Sequence, residues 1–439
     1  MQDLTTDTKI LRFSQMASHY SKEFLICCKY ISTGVNESGI FTKKFYSTWI
    51  SASNLLEDFL DTHGAKNNKN WYFYRELTAT VRHLSIAAYG QKHILNRIEF
   101  YNLSNEKKFS DEGRQTIKII KKALHSIAPV ILNEAQRLNI HIPEEEYTIS
   151  DFPDISTGYL LDFDINDKNW DKQKKNIVTI SSSFLNIAKN FNEFKFYQPY
   201  SKEEITDIVP VKVNEVEMRH YEMLVHNLQS SFDTYVIQGG GGHIDNDVRL
   251  KKLRGIFSVI LHLLEIIGPL LHYYERHLYE RGCSSLYKTV RDMIANFIDP
   301  YILLDRTINY GLYFICHFFS AGKKLATEIL NENIERSEIT VGIPRNKGFH
   351  LRPSMMVAKI VQYFGGEVTL CIGDSCFDAS STLSVQWAGG LIQKENIDTV
   401  NFKGDVRALK DIQILADVNY GEDLMGKGVS LPKELSYLK

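Results

Sequence analysis

Residues 1–128 contain no proline, and apolar residues there recur at three- and four-residue spacing in segments near 15–33, 38–62, 69–102 and 112–137. Each such segment has one apolar stripe to bury, so a chain patterned this way has to pack helix against helix. A four-helix core is expected. Residues 139–172 read differently, with Pro143, Glu144-Glu145-Glu146 and Pro153 among several Asp and Asn residues marking a long connection and a candidate break. Helical spacing resumes near 174–195, 213–237, 247–281 and 299–332, and Ser201-Lys-Glu-Glu204 is a capping-box start among them.

The periodicity changes after Asn331-Glu-Asn-Ile-Glu-Arg336, a polar link that sets the domain boundary near residue 335. Residues 1–335 are expected to be all-helical, as one domain or a pair of subdomains divided near 139–172. Residues 336–439 mix the two periods. Glu338–Ile343 reads as a strand, Met355–Phe364 as a helix, and Glu367–Ile372 and Ser375–Asp378 as two strands joined by a Gly373-Asp374 hairpin. A helix from Ser381, a strand near Thr399–Phe402 and a helix over about Val406–Asn419 complete a βαββαβα order.

Between the first strand and first helix of that series lies Gly348-Phe-His-Leu-Arg-Pro-Ser354. Pro353, with fixed φ and no N–H, suits the first turn of a helix, so His350 falls just before a helix start. Backbone N–H groups and the positive end of the helix dipole favour an anion there, and the Arg352 guanidinium offers a planar fork to phosphate oxygens. Gly348 permits a tight approach turn. This histidine within this element order resembles the HPr family of histidine-containing phosphocarriers over residues 337–422. His350, Arg352 and Pro353 match the family stretch, while Phe349 and Leu351 fill its two variable places.

The resemblance implies a multidomain chain whose tail, 336–439, is an α+β open-faced sandwich. It further implies that His350 accepts a phosphoryl group, Arg352 stabilises it, Gly348 and Pro353 support the turn, and Ser381 stands at the second, regulatory phosphorylation position. The activity implied is that of a carrier rather than a free-standing enzyme. The partners implied are an Enzyme I-like donor of the phosphoenolpyruvate-dependent phosphotransferase system and an acceptor protein, with phosphohistidine as intermediate and no cofactor.

The remaining composition excludes several classes. Of the 439 residues, 44% are hydrophobic and 24% charged, the balance of an ordinary globular chain. A net charge of −2 without a basic, aromatic-interleaved patch gives no reason to expect a nucleic-acid binder. The start, MQDLTTDTKILRF, lacks a charged region followed by an apolar core, so a cytoplasmic location is expected. Ile256–Leu271 is the most apolar stretch, but His262, Glu265 and Pro269 interrupt it, and a buried helix rather than a membrane span is expected.

Six cysteines in so long a chain do not form a disulfide framework. Cys371 and Cys376 can face each other across the Gly373-Asp374 hairpin, and are expected as reduced thiols in a cytosol. Cys27 and Cys28 are expected to pack, and Cys283 and Cys316 have no CxxC partner. Gly239-Gly-Gly-Gly-His243 lacks the preceding strand and following Lys-Ser/Thr of a nucleotide loop and is read as a connection. His262-x-x-Glu265 and His272-x-x-Glu275 reverse the Glu-x-x-His order of di-iron bundles, and no matching ligands stand out elsewhere. No metal is expected. Two alternatives to a carrier remain: a docking adaptor without phosphoryl turnover, consistent with Phe349, Leu351 and Thr382, and a ligand- or metal-binding helical sensor or enzyme regulated by the tail.

Overall fold

The structure is a computed structural model, which describes residues 6–33, 39–101, 103, 106–154, 170–234, 248–279 and 284–438. The Gly239–His243 segment, Cys283 and residues 155–169 of the long connection lie outside the described residues. The chain is mostly helical, with one small antiparallel sheet. It divides into two compact units.

The first unit comprises residues 1–163, 194–226 and 255–319. Helices α1 (Thr6–Thr33), α2 (Lys43–Thr62), α3 (Tyr72–Arg97) and α4 (Glu106–Arg137) pack as a ring in which each touches the next and α4 closes on α1. Their apolar stripes supply its core, with Phe24, Trp49, Leu77 and Leu124 among fully buried side chains. Cys27 and Cys28 are buried here, and burial pushes both thiols well above their ordinary pKa. Later helices are α5 (Trp170–Phe191), α6 (Lys202–Ile208), α7 (Glu215–Phe232) and α8 (Val248–Tyr273), followed by α9 (Ser285–Ala295), α10 (Pro300–Asp305) and α11 (Tyr313–Asn333). The capping box at α6 forms in both directions, between Ser201 and Glu204. Two π turns, Tyr274–Leu278 and Arg306–Leu312, interrupt the α-helical period. The helix over Val248–Leu278 is long and apolar enough to cross a membrane by length and composition, and 83% of its apolar window is buried inside the protein.

A charged hub ties the first unit together. The Arg75 guanidinium, 5% exposed, donates to both carboxylate oxygens of Asp61 at 2.8 Å, to Glu57 at 3.0 Å and to Glu76 at 2.9 Å. Burial pushes the Glu76 carboxyl up, but His277 and Arg75 outweigh it and hold its pKa below the ordinary value.

The second unit comprises residues 164–193, 227–254 and 320–439, so it begins well before the polar link near residue 335. Within it follow β1 (Arg336–Gly342), α12 (Leu351–Phe364), β2 (Val368–Ile372), β3 (Ser375–Asp378), α13 (Thr382–Glu395), β4 (Thr399–Asp405) and α14 (Val406–Asp417). The strands form an antiparallel sheet in the order β1-β4-β2-β3. The helices cover one of its faces through Val357, Ile360, Val361, Val385, Ala388, Ile392 and Ile412. Helix α5 seats against the end of α12, where Ser182 Oγ donates to the Phe364 carbonyl at 2.8 Å and Asn186 to that of Tyr363 at 3.0 Å.

Cys371 and Cys376 are not reduced thiols here. They are directly paired across β2 and β3, with Cα atoms 4.2 Å apart, and are joined as a disulfide. The short hairpin, with Gly373 at φ +54°, sets the register that brings them together.

Replacing Arg75 by Met strands buried carboxylates and should lower unfolding free energy by about 3–5 kcal/mol. Arg114→Met, which removes an exposed pair with Asp111, should cost at most about 1 kcal/mol. Urea unfolding of both variants checks the contrast. Burial, then His262 and Lys43, push His93 down to about 3. The unfolded chain binds this proton near pH 6.5, whereas the folded chain resists it until about pH 3. His93 therefore removes stability progressively as pH falls between those limits. A His93→Gln variant should lose less stability than the parent between pH 7 and pH 4, measured by urea midpoints.

Candidate functional site

Lys347 and Gly348 both adopt positive φ, +56° and +58°, and turn the chain into α12. That left-handed pair needs a glycine more than it needs space, since a Cβ at Gly348 would meet only Gln393 at 3.7 Å. His350 is the N-cap of α12, in extended backbone conformation, and makes no side-chain capping bond. Pro353, buried, is the third helical residue, so the first turn presents only the N–H groups of Leu351 and Arg352 before Ser354 N–H bonds the His350 carbonyl at 3.1 Å. Phe349 points the other way, into the core, where its ring meets that of Tyr420 edge-on at 5.2 Å. One residue anchors the turn while the next stays half-exposed.

A residue the sequence reading missed completes the site. The chain after α14 returns so that Glu422, its side chain fully buried, lies 3.0 Å from His350 Nε2. An ionised carboxylate only accepts, so Nε2 donates here, and in the neutral ring Nδ1 then keeps its lone pair. Arg352, 44% exposed at its side chain, lies 3.9 Å from the other Glu422 oxygen and 3.4 Å from the Gly426 carbonyl. Glu422 thus stands between imidazole and guanidinium. It is 72 positions from His350, in a stretch without motif, and no sequence signal marked it.

Ser381 caps α13, its Oγ accepting from Ser384 N–H at 3.2 Å. Leu351 is 61% exposed beside His350, and Leu383 and Trp387, one turn apart on α13, are 60% and 69% exposed. A cleft of about 1,110 Å³ in the second unit, lined by Leu185, Lys323, Arg336, Glu338, Glu367 and Lys403, contains neither His350 nor Arg352.

The two His-x-x-Glu pairs behave differently. His262 Nδ1 bonds its own Glu265 at 2.7 Å, whereas His272 Nδ1 bonds Glu215 at 2.8 Å and not Glu275. Glu275 instead accepts from the Glu215 N–H.

Replacing Ser381 by Ala removes the α13 cap and should cost about 1 kcal/mol, while Ser381→Asp should retain it. Thermal unfolding of the two variants distinguishes them, and an unchanged midpoint for Ser381→Ala would show that the cap contributes nothing.

No protein-family model matches the chain, and no curated protein or solved structure is similar to it.

Proposed function

We propose that the chain is a phosphocarrier of the HPr type, in which His350 accepts a phosphoryl group from an Enzyme I-like donor in a phosphoenolpyruvate-dependent relay and passes it to an acceptor protein. The observation that carries this reading is the state of the His350 ring. Its Nε2 lies 3.0 Å from Glu422, which leaves Nδ1, at the start of a helix, as the nitrogen to take a phosphoryl group. The βαββαβα order of β1 to α14 is the one the resemblance implies.

In the transfer, the Nδ1 lone pair attacks the phosphorus held on a donor histidine. The new N–P bond forms as the donor's N–P bond breaks, and that electron pair returns to the donor ring. The Leu351 and Arg352 N–H groups and the Arg352 guanidinium meet the phosphoryl oxygens. Glu422 keeps the Nε2 proton and stabilises the positive charge developing on the ring. Ser381 is the proposed regulatory site, because a phosphate on its Oγ would sit at the α13 N-terminus, where negative charge is favoured.

The docking-adaptor alternative draws on exposed Leu351, Leu383 and Trp387, which a partner would bury with or without phosphoryl turnover. Labelling separates the two. Full-length protein incubated with Enzyme I and phosphoenolpyruvate should acquire one acid-labile phosphate on His350, absent in His350→Ala. Glu422→Ala, which loses a hydrogen bond to a charged group of about 1.5–3 kcal/mol, should label roughly ten- to hundredfold more slowly. Arg352→Lys should label faster than Arg352→Ala but slower than the parent. Failure of several Enzyme I donors to label the parent, or label persisting in His350→Ala, would leave the adaptor.

A further inference from the structure

His272 and His277 stand five residues apart, a spacing that on an α-helix leaves side chains about 140° apart around the axis. The π turn Tyr274–Leu278, closed by the Tyr279 N–H to the Tyr274 carbonyl at 2.7 Å, adds a residue to the turn and brings the two imidazoles to one side. That side faces His83 on α3. Ring centroids lie 4.4 Å apart for His83 and His272, 5.7 Å for His83 and His277, and 5.9 Å for His272 and His277. One ring nitrogen from each lies within 4.8 Å of the others. All three belong to the first unit, and His350 to the second.

Hydrogen bonds decide which nitrogens face inward. His277 Nδ1 lies 2.7 Å from Glu76 Oε2, and His272 Nδ1 lies 2.8 Å from Glu215 Oε2. The 2.7 Å contact to Glu76 is shorter than the 3.4 Å approach of Arg75 Nη1 to His277 Nδ1, and both carboxylates accept, so both Nδ1 atoms donate and, in the neutral rings, both Nε2 atoms present lone pairs. His277 Nε2 is buried without a partner, and so is His83 Nδ1. Imidazoles whose outer N–H is held by a carboxylate are the usual form of metal-ligating histidine, because the carboxylate fixes the ring and raises its basicity. Leaving such nitrogens buried and unpaired is costly, and a cation at their centre removes that cost.

His83 is the adjustable member. Its Nε2 lies 2.9 Å from Arg82 Nη2, so to ligate through Nδ1 it must move its proton to Nε2 and release that contact. Arg82 keeps its ion pair with Glu57 at 2.8 Å and its bond to Asn54 at 3.0 Å.

We propose that His83 Nδ1, His272 Nε2 and His277 Nε2 bind one divalent transition-metal ion of the zinc class, with Glu76 and Glu215 as positioning residues. Three imidazoles without thiolate suit zinc and its first-row neighbours. His272, whose side chain is 27% exposed, is the ligand solvent reaches most readily, and water would take the fourth position.

The test uses full-length protein stripped with chelator and titrated with cobalt(II) alone. One equivalent should produce the visible band of four-coordinate cobalt, and one equivalent of zinc(II) should bleach it. X-ray absorption of the zinc-loaded parent should show three imidazole nitrogens at about 2.0–2.1 Å. His83→Gln and His277→Gln should each weaken binding at least tenfold, and Glu215→Gln by roughly ten- to hundredfold. His262→Gln, outside the cluster, should leave it unchanged. Absence of saturable binding would overturn the proposal in favour of a bridging water. A six-coordinate spectrum indifferent to the histidine substitutions would overturn it in favour of an adventitious surface ion. Should a histidine variant fail to fold by circular dichroism, the absorption spectrum of the parent decides, and fewer than three imidazoles on zinc refutes the site.

Discussion

One guanidinium fixes the geometry of the first unit. Arg75 holds Glu57 and Asp61 of α2, Glu76 of its own helix and, through Glu76, His277 of the π turn. A buried charge without partners is costly, so these helices share an arrangement in which each carboxylate around the guanidinium is ion-paired with it. Apolar stripes bring α2 and α3 together, but they tolerate sliding. A bidentate contact to Asp61 does not, and it sets the axial position from which His83 and Glu76 project.

The helices were legible in the sequence because each of α1 to α4 carries a stripe long enough to state its period. Helix α9 was not, since only Val290 and Ile294 of it are buried and two positions define no period. The π turns escaped for a related reason: an extra residue in one turn looks like an error in a 3.6-residue pattern rather than a signal. The pairs His262-x-x-Glu265 and His272-x-x-Glu275 reverse the Glu-x-x-His order of di-iron bundles, yet three histidines converge, two through a five-residue spacing around a π turn and His83 from another helix.

The tail was the more legible part. Its alternating strands, its Gly-started turn and its proline near a helix start are local devices, and each β-element and helix expected there is present. His350, Arg352, Gly348, Pro353 and Ser381 could be assigned positions because a helix start is written within a few residues. Glu422 could not, because it acts through the return of the chain over the site. Local sequence places the histidine at the helix start, whereas the carboxylate that meets its ring comes from tertiary structure. The Cys371–Cys376 pair shows the same limit, since register made the two cysteines neighbours while expected compartment argued for thiols.

The position of Glu422 beyond α14 has a temporal consequence. Synthesis proceeds from the N-terminus, so the helix behind His350 and the sheet beneath it emerge before the carboxylate that orients the imidazole. Leu435 and Leu438, which bury themselves in the same core, emerge later still. The strands and helices of the domain are thus complete in sequence before the side chain that meets the imidazole is added.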